Sequence, residues 1–150
     1  MLKVGDRIPE FTAQTADGKT IRSAELRGKH VVLYFFPKAF TTGCSIETKQ
    51  FRDAYPDLQK AGAEVLGVSV DDGKTQNDFA CSLGVSFPMI GDHGKQLSKQ
   101  FGVLWPLLGV PRRVTFLIDK EGVIRGVFNH ELQIGRHLDD ALALLKTLPA

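Results

Sequence analysis

From Val31 to Phe36, within the segment HVVLYFF, the chain runs through six apolar residues without a break. A strand with one wet face would alternate apolar and polar side chains. A strand that does not alternate must be covered on both faces, which is the situation inside a sheet flanked by helices. Ala63–Val70 (AEVLGVSV) has the same character, and Val114–Ile118 (VTFLI) is a third such run. The covering helices are predicted from the stretches between and after them. Cys44–Lys60 carries Ile46, Phe51, Tyr55 and Leu58 at helical spacings, although Pro56 is expected to break or kink it. Lys74–Leu83 and Lys95–Phe101 are shorter helices, and Gly135–Leu148 carries Leu138, Leu142, Leu145 and Leu148 along one stripe.

Two hairpins complete the reading. Phe11–Thr15 and Thr20–Ile21 flank an Asp17-Gly18 step, which marks a tight turn near the N-terminus. Asp119–Gly122 turns Val114–Ile118 into an antiparallel partner at Val123–Phe128. Strand and helix alternate first, and a hairpin and a final helix follow. That order implies an α/β architecture, the thioredoxin-like fold, with a central mixed sheet, flanking helices and an N-terminal hairpin extension. With 150 residues, residues 1–150 are expected to form one domain able to bury its own core without a metal or disulfide staple.

Composition excludes several classes. A net charge of +2 gives no electrostatic footprint for nucleic acid. The longest apolar run falls far short of the ~20 residues that cross a bilayer, so no membrane association is expected. The opening MLKVGDRIPEF is interrupted by Lys3, Asp6 and Arg7 and lacks the apolar core of a secretory leader; the expected compartment is the cytoplasm. Two cysteines cannot staple a secreted scaffold, but they can form one redox pair. His30, His93, His130 and His137 show no metal-ligand spacing with either cysteine and read as surface or capping residues; no metal or other cofactor is expected.

The informative segment is Pro37-Lys38-Ala39-Phe40-Thr41-Thr42-Gly43-Cys44, placed between a buried strand and a helix. Cys44 would occupy the first helical turn, where unpaired N–H groups and the helix dipole favour a thiolate. Gly43 permits close approach of a ligand to the backbone, Thr41 offers a hydroxyl one turn before the sulfur, and Pro37 ends the strand and walls the pocket. Ionisation alone does not make a fast thiol. A free thiol is a few per cent thiolate at neutral pH, so full ionisation raises the reactive fraction roughly 30-fold, worth about 2 kcal/mol. Part of that gain is lost because nucleophilicity falls with basicity. A fixed cation must also take up charge developing on the departing atom. Arginine suits that task, and the segment Pro111-Arg112-Arg113-Val114-Thr115 sets one at the mouth of a predicted strand.

Pro37, Thr41 and Cys44 form the pattern Pro-x-x-x-Thr-x-x-Cys, followed by GVSVDD and by RVTFLIDKEGVI. With these motifs the chain resembles, from about Asp6 to Leu145, the Q-type peroxiredoxins (bacterioferritin comigratory proteins) of the AhpC/TSA thioredoxin-like family. The resemblance implies a thiol-dependent peroxidase that acts on hydrogen peroxide and organic hydroperoxides. It implies that Cys44 is the peroxidatic cysteine, oxidised to a sulfenic acid, and that Thr41 hydrogen-bonds the peroxide. It further implies that Arg113 stabilises thiolate and transition state, Pro37 shields the sulfur and Glu47 orients the arginine. Arg112 would be a surface neighbour. The substrate contacts would be Thr41, Gly43, Cys44 and Arg113. Many Q-type members carry a resolving cysteine five residues after the first, where this chain has Lys49. Another branch places it on the helix after the next strand, which Cys81 matches. Resemblance therefore implies an intramolecular Cys44–Cys81 disulfide, recycled by thioredoxin or a similar dithiol. A monomer would suffice for that cycle. Thr42 stands where relatives often have proline, and Phe40 where they have a smaller or polar residue. Trp105 reads as a loop packing anchor. Two other readings of the same layout are a thioredoxin-like thiol-disulfide oxidoreductase and a non-enzymatic peroxide sensor. The first lacks its Cys-x-x-Cys, because Ser45-Ile46-Glu47 follows Cys44.

Overall fold

The computed structural model describes residues 1–130 and 133–148. Strands β1 (Thr12–Gln14) and β2 (Thr20–Arg22) pair antiparallel with Gln14 opposite Thr20, which is the expected N-terminal hairpin. The central sheet contains β3 (His30–Phe35), β4 (Ala63–Ser69), β5 (Met89–Gly91), β6 (Val114–Ile118) and β7 (Ile124–Asn129). Its order is β5-β4-β3-β6-β7. β3, β4 and β5 run parallel, whereas β6 and β7 are antiparallel additions beside β3.

The unbroken apolar runs do what their pattern requires. Every residue of β3 is buried. Its alternate side chains enter two different cores. Val32, Tyr34 and Phe36 pack with Phe51, Leu58, Phe79 and Ala141 on one face. Val31, Leu33 and Phe35 pack with Leu66, Phe101, Phe116 and Ile124 on the other. The first face is covered by α1 (Thr42–Lys60), α2 (Gly73–Leu83) and α4 (Gly135–Leu145), the second by α3 (Gln96–Phe101) and the N-terminal segment. Among the described residues no helix is long and apolar enough to cross a membrane.

The structure corrects several boundaries. α1 runs through Pro56 unbroken. Pro56 lies on the exposed face, so the carbonyl deprived of its N–H partner can face water, while buried Tyr55 and Leu58 hold the turn in place. β5 was not anticipated: three residues after Pro88 are too short a run to show a period, and pairing with β4 creates the strand. α4 ends at Leu145, and Leu148 reaches the core from the following turn. Two histidines are not at the surface. His30 is buried at the start of β3 and His137 is buried in α4, because each occupies an inward position of its element.

The two ends of α2 are held differently. Asp72 caps the first turn by accepting the Thr75 N–H at 2.7 Å, and buried Gln76 donates to the Ile90 carbonyl at 2.9 Å. At the other end, the Leu83 carbonyl accepts from Arg52 Nη1 of α1 at 2.7 Å, and Gly84 closes the helix in the left-handed conformation.

Packing at the β3–β4 seam generates one prediction. A Cβ at Gly67 would lie 2.7 Å from both the Tyr34 hydroxyl and Met89 Sδ. Overpacking in a filled core costs about 1–3 kcal/mol. Gly67→Ala is expected to lower the unfolding free energy by that amount, read as a lower urea midpoint with an unchanged m-value.

Candidate active site

Cys44 is the third residue of α1, with Thr41 as the residue before the helix. The first helical bond runs from the Ser45 N–H to the Thr41 carbonyl at 2.9 Å, so the N–H groups of Thr42, Gly43 and Cys44 lie ahead of the helical ladder. The Thr41 hydroxyl does not cap the helix. It donates to the Lys38 carbonyl at 2.8 Å. Its proton is thereby committed, and its oxygen is left to accept a proton from a ligand. Pro37 is half-buried, directly after buried Phe36.

The cysteine itself has no exposed surface. β6 brings a cation to it: Arg113 Nη2 lies 3.5 Å from Cys44 Sγ. Arg113 Nη1 donates to Glu47 Oε1 at 3.0 Å, and Glu47 sits one helical turn after Cys44. Burial works against the guanidinium charge. Glu47 and Cys44 more than offset it and hold Arg113 above its ordinary value. Arg112 faces elsewhere, stacked over Trp105 at 4.1 Å, so Trp105 serves as a packing anchor. Cys44, Glu47, Arg113 and Gly43 thus meet at the start of α1, and Thr41 directly precedes that helix. Cys81 is not among them: it is exposed on α2, as a free thiol.

Gly43 has a spatial role beyond approach to a ligand. A Cβ there would stand 3.1 Å from Arg113 Nη2 and 3.0 Å from Ile134 Cδ1. The missing side chain is what lets the guanidinium lie over the helix end. The loop between β3 and α1 is held from outside as well. The Ala39 N–H donates to Asp71 Oδ2 at 2.7 Å, and the Ser69 hydroxyl donates to the same oxygen at 2.6 Å. Phe40, at φ 64°, adopts a left-handed conformation unusual for a bulky residue and rests its ring edge-on against Phe79, 5.3 Å between centroids.

Sequence reasoning did not find Asp71, Thr115 or His137 as site neighbours. Thr115 follows Arg113 by two residues, as the second residue of β6. Its hydroxyl lies 2.8 Å from His137 Nδ1. His137 Nε2 faces the His130 carbonyl at 2.8 Å and must carry a proton to donate there. Burial, together with the nearby charges of His130 and Arg113, pushes His137 down to about 4, against the opposing pull of the His130 carbonyl and Asp140. The ring is neutral, so Nδ1 accepts from Thr115, and its 3.6 Å approach to Glu47 Oε2 is packing rather than an ion pair. Among the described residues, no group of three or more His, Cys, Asp or Glu side chains could hold a metal ion.

A buried thiol on a helix N-terminus, under a guanidinium, at the edge of a thioredoxin-like sheet defines the class of thiol peroxidases. Residues 4–127 match the AhpC/TSA family. A chloroplastic peroxiredoxin Q of Populus jackii is 39% identical over 145 residues, which is 96% of this chain and 68% of that protein. The crystal structure of the peroxidoxin BcpB of Mycobacterium tuberculosis superposes with a TM-score of 0.92 at 32% identity, covering 100% of both chains. A bacterioferritin comigratory protein of Xanthomonas campestris, studied for its alkyl peroxide reduction activity, gives 0.84 at 30% identity over 91% of this chain and 90% of its own. The chain belongs to the AhpC/TSA family and is a peroxiredoxin of the Q type.

Two measurements test this geometry. Gly43→Ala should leave the fold intact and slow peroxide reduction about tenfold by displacing Arg113, read by stopped-flow peroxide consumption. Neutral burial of His137 also predicts a pH effect. Below pH 6.5 the unfolded chain binds a proton that the native one does not, so stability is lost as pH falls. The slope should reach up to ~1.4 kcal/mol per pH unit until about 4. Urea titrations should show that slope, and His137→Gln should flatten it.

Proposed function

We propose that this peroxiredoxin reduces hydrogen peroxide and small organic hydroperoxides, with Cys44 as the attacking sulfur and Cys81 as the resolving one. The observation that carries the reading is Arg113 Nη2 at 3.5 Å from Cys44 Sγ, at the end of α1. The alkyl peroxide reduction studied in the Xanthomonas campestris relative supports the substrate class.

The Thr41 oxygen and the N–H groups near Gly43 and Cys44 orient the peroxide. The Cys44 thiolate attacks one peroxide oxygen, an S–O bond forms and the O–O bond breaks. Both electrons of that bond leave with the alkoxide or hydroxide. Arg113 faces the charge that develops on the departing oxygen, which then takes a solvent proton and leaves as alcohol or water. Cys44 is left as a sulfenic acid. The Cys81 thiolate attacks that sulfur, expelling hydroxide, which takes up the Cys81 proton and leaves as water. A disulfide remains. Thioredoxin or a similar dithiol reduces it to two thiols and becomes a disulfide itself. The cycle closes within one chain, so a monomer suffices for it, and the proposed compartment is the cytoplasm.

A disulfide needs Cα atoms within about 7 Å and sulfurs in contact, whereas Cys44 is buried and Cys81 exposed on another helix. The first turn of α1 and the end of α2 that carries Cys81 must therefore unwind on oxidation. Hydrogen exchange after one equivalent of peroxide should show protection lost at both sites, and superimposable protection patterns would refute the rearrangement. Mass spectrometry should find a loss of about two daltons mapped to a Cys44–Cys81 link. Cys44→Ser should abolish peroxide consumption. Cys81→Ser should consume about one peroxide per chain, leave a trappable sulfenic acid and turn over poorly with thioredoxin. Full turnover by that variant would show that the reductant attacks Cys44 directly.

A further inference from the structure

His137 is fully buried, yet it is built into a chain of contacts that ends at the reactive sulfur. The His130 ring meets it edge-on at 5.3 Å between centroids, and three polar groups contact its nitrogens. Its Nε2–H donates to the His130 carbonyl at 2.8 Å. Its Nδ1 accepts from the Thr115 hydroxyl at 2.8 Å. The same Nδ1 edge packs 3.6 Å from Glu47 Oε2. The other carboxylate oxygen, Oε1, accepts from Arg113 at 3.0 Å, and Arg113 reaches Cys44 Sγ at 3.5 Å. Arg113 directly precedes β6 and Thr115 is its second residue, so the start of the strand sets the guanidinium and the histidine's anchor two residues apart. Ile134, just before α4, packs its Cδ1 against the same Gly43 over which Arg113 lies.

We infer that His137 is a positioning residue for the peroxidase reaction: locked by Thr115 and the His130 carbonyl, it backs Glu47 so that the carboxylate holds Arg113 over Cys44. The physical reason lies in what the imidazole withholds. A neutral ring whose Nδ1 proton site is occupied by the Thr115 hydroxyl gives Glu47 a wall without a competing cation. Glu47 is fully buried, so its charge is directed at the guanidinium rather than at water. A carboxylate with room to turn would loosen Arg113, and a displacement of about 1 Å at such a group can cost up to ~100-fold in rate. Supporting residues behind a reactive group contribute about tenfold or more in comparable settings.

The test rests on the peroxidase reading and separates from it, because wild-type chain that consumed no peroxide would sink that reading and leave this one without a reaction to modulate. Two rates are measured on the reduced full chain: peroxide consumption by stopped flow, and alkylation of Cys44 by iodoacetamide at one pH. Departing iodide needs no guanidinium, so loss of Arg113 positioning should hit peroxide harder than the alkylator. His137→Ala is expected to slow peroxide reduction about tenfold and alkylation less. His137→Gln, which can still donate to the His130 carbonyl, should recover most of the rate. In a Glu47→Gln background, His137→Ala should cause little further loss, because the histidine acts through the carboxylate. Should His137→Ala fail to fold, Thr115→Val carries the same test and the same expected pattern. A peroxide rate at the wild-type value, equal losses in both reactions, or full additivity with Glu47→Gln would each overturn the inference and leave His137 a packing residue only.

Discussion

One guanidinium organises this molecule's reactive end. Arg113 is nearly enclosed, with 7% of its surface exposed, and it stands between a buried sulfur and a buried carboxylate. An unpaired charge in such a place would be untenable. The pairing with Glu47 keeps the cation in the core whatever the state of the sulfur. The contact with Cys44 then makes that cation available to the chemistry. Everything around it serves this arrangement. β6 carries the arginine inward beside β3, α1 presents Cys44 and Glu47 on one face a turn apart, and Gly43 leaves the space through which the guanidinium lies.

The scaffold explains why these parts meet. β3 is buried on both sides, with β4 parallel to it and β6 antiparallel. α1 begins where β3 ends, and β6 begins at the same edge because it runs the other way. A strand end, a helix start and a strand start therefore coincide, each carrying one functional group. The loop that joins β3 to α1 is tied to Asp71, just after β4, so the next strand also helps to fix the position of Cys44.

Much of this could be read from the chain before any coordinates. The unbroken run Val31–Phe36 required a two-sided sheet, and the Pro37–Cys44 segment called for an arginine at a strand mouth, which the family resemblance identified as Arg113. What could not be read has physical causes. Met89–Gly91 is too short to carry a period, and its strand character comes from pairing with β4. Pro56 breaks a local rule, but exposure of its face and the burial of Tyr55 and Leu58 override it. His137 is polar and lies one residue off the leucine stripe, on a buried line with Ala141 and Leu145, so pattern alone gives it no partner. Thr115, His130 and Glu47 come to it from three other elements and only in the folded chain. Asp71 was visible within a motif, yet its grip on the Ala39 N–H depends on how two loops cross.

The unequal fastening of α2 has a mechanical meaning. Its beginning is latched by a cap and by a fully buried glutamine bonded to the edge strand, whereas its far end, where Cys81 lies, hangs on a glycine and on one arginine reaching across from α1. A single partly solvated hydrogen bond of that kind contributes about 1 kcal/mol. The helix would thus fray from the cysteine's end and stay anchored at the other.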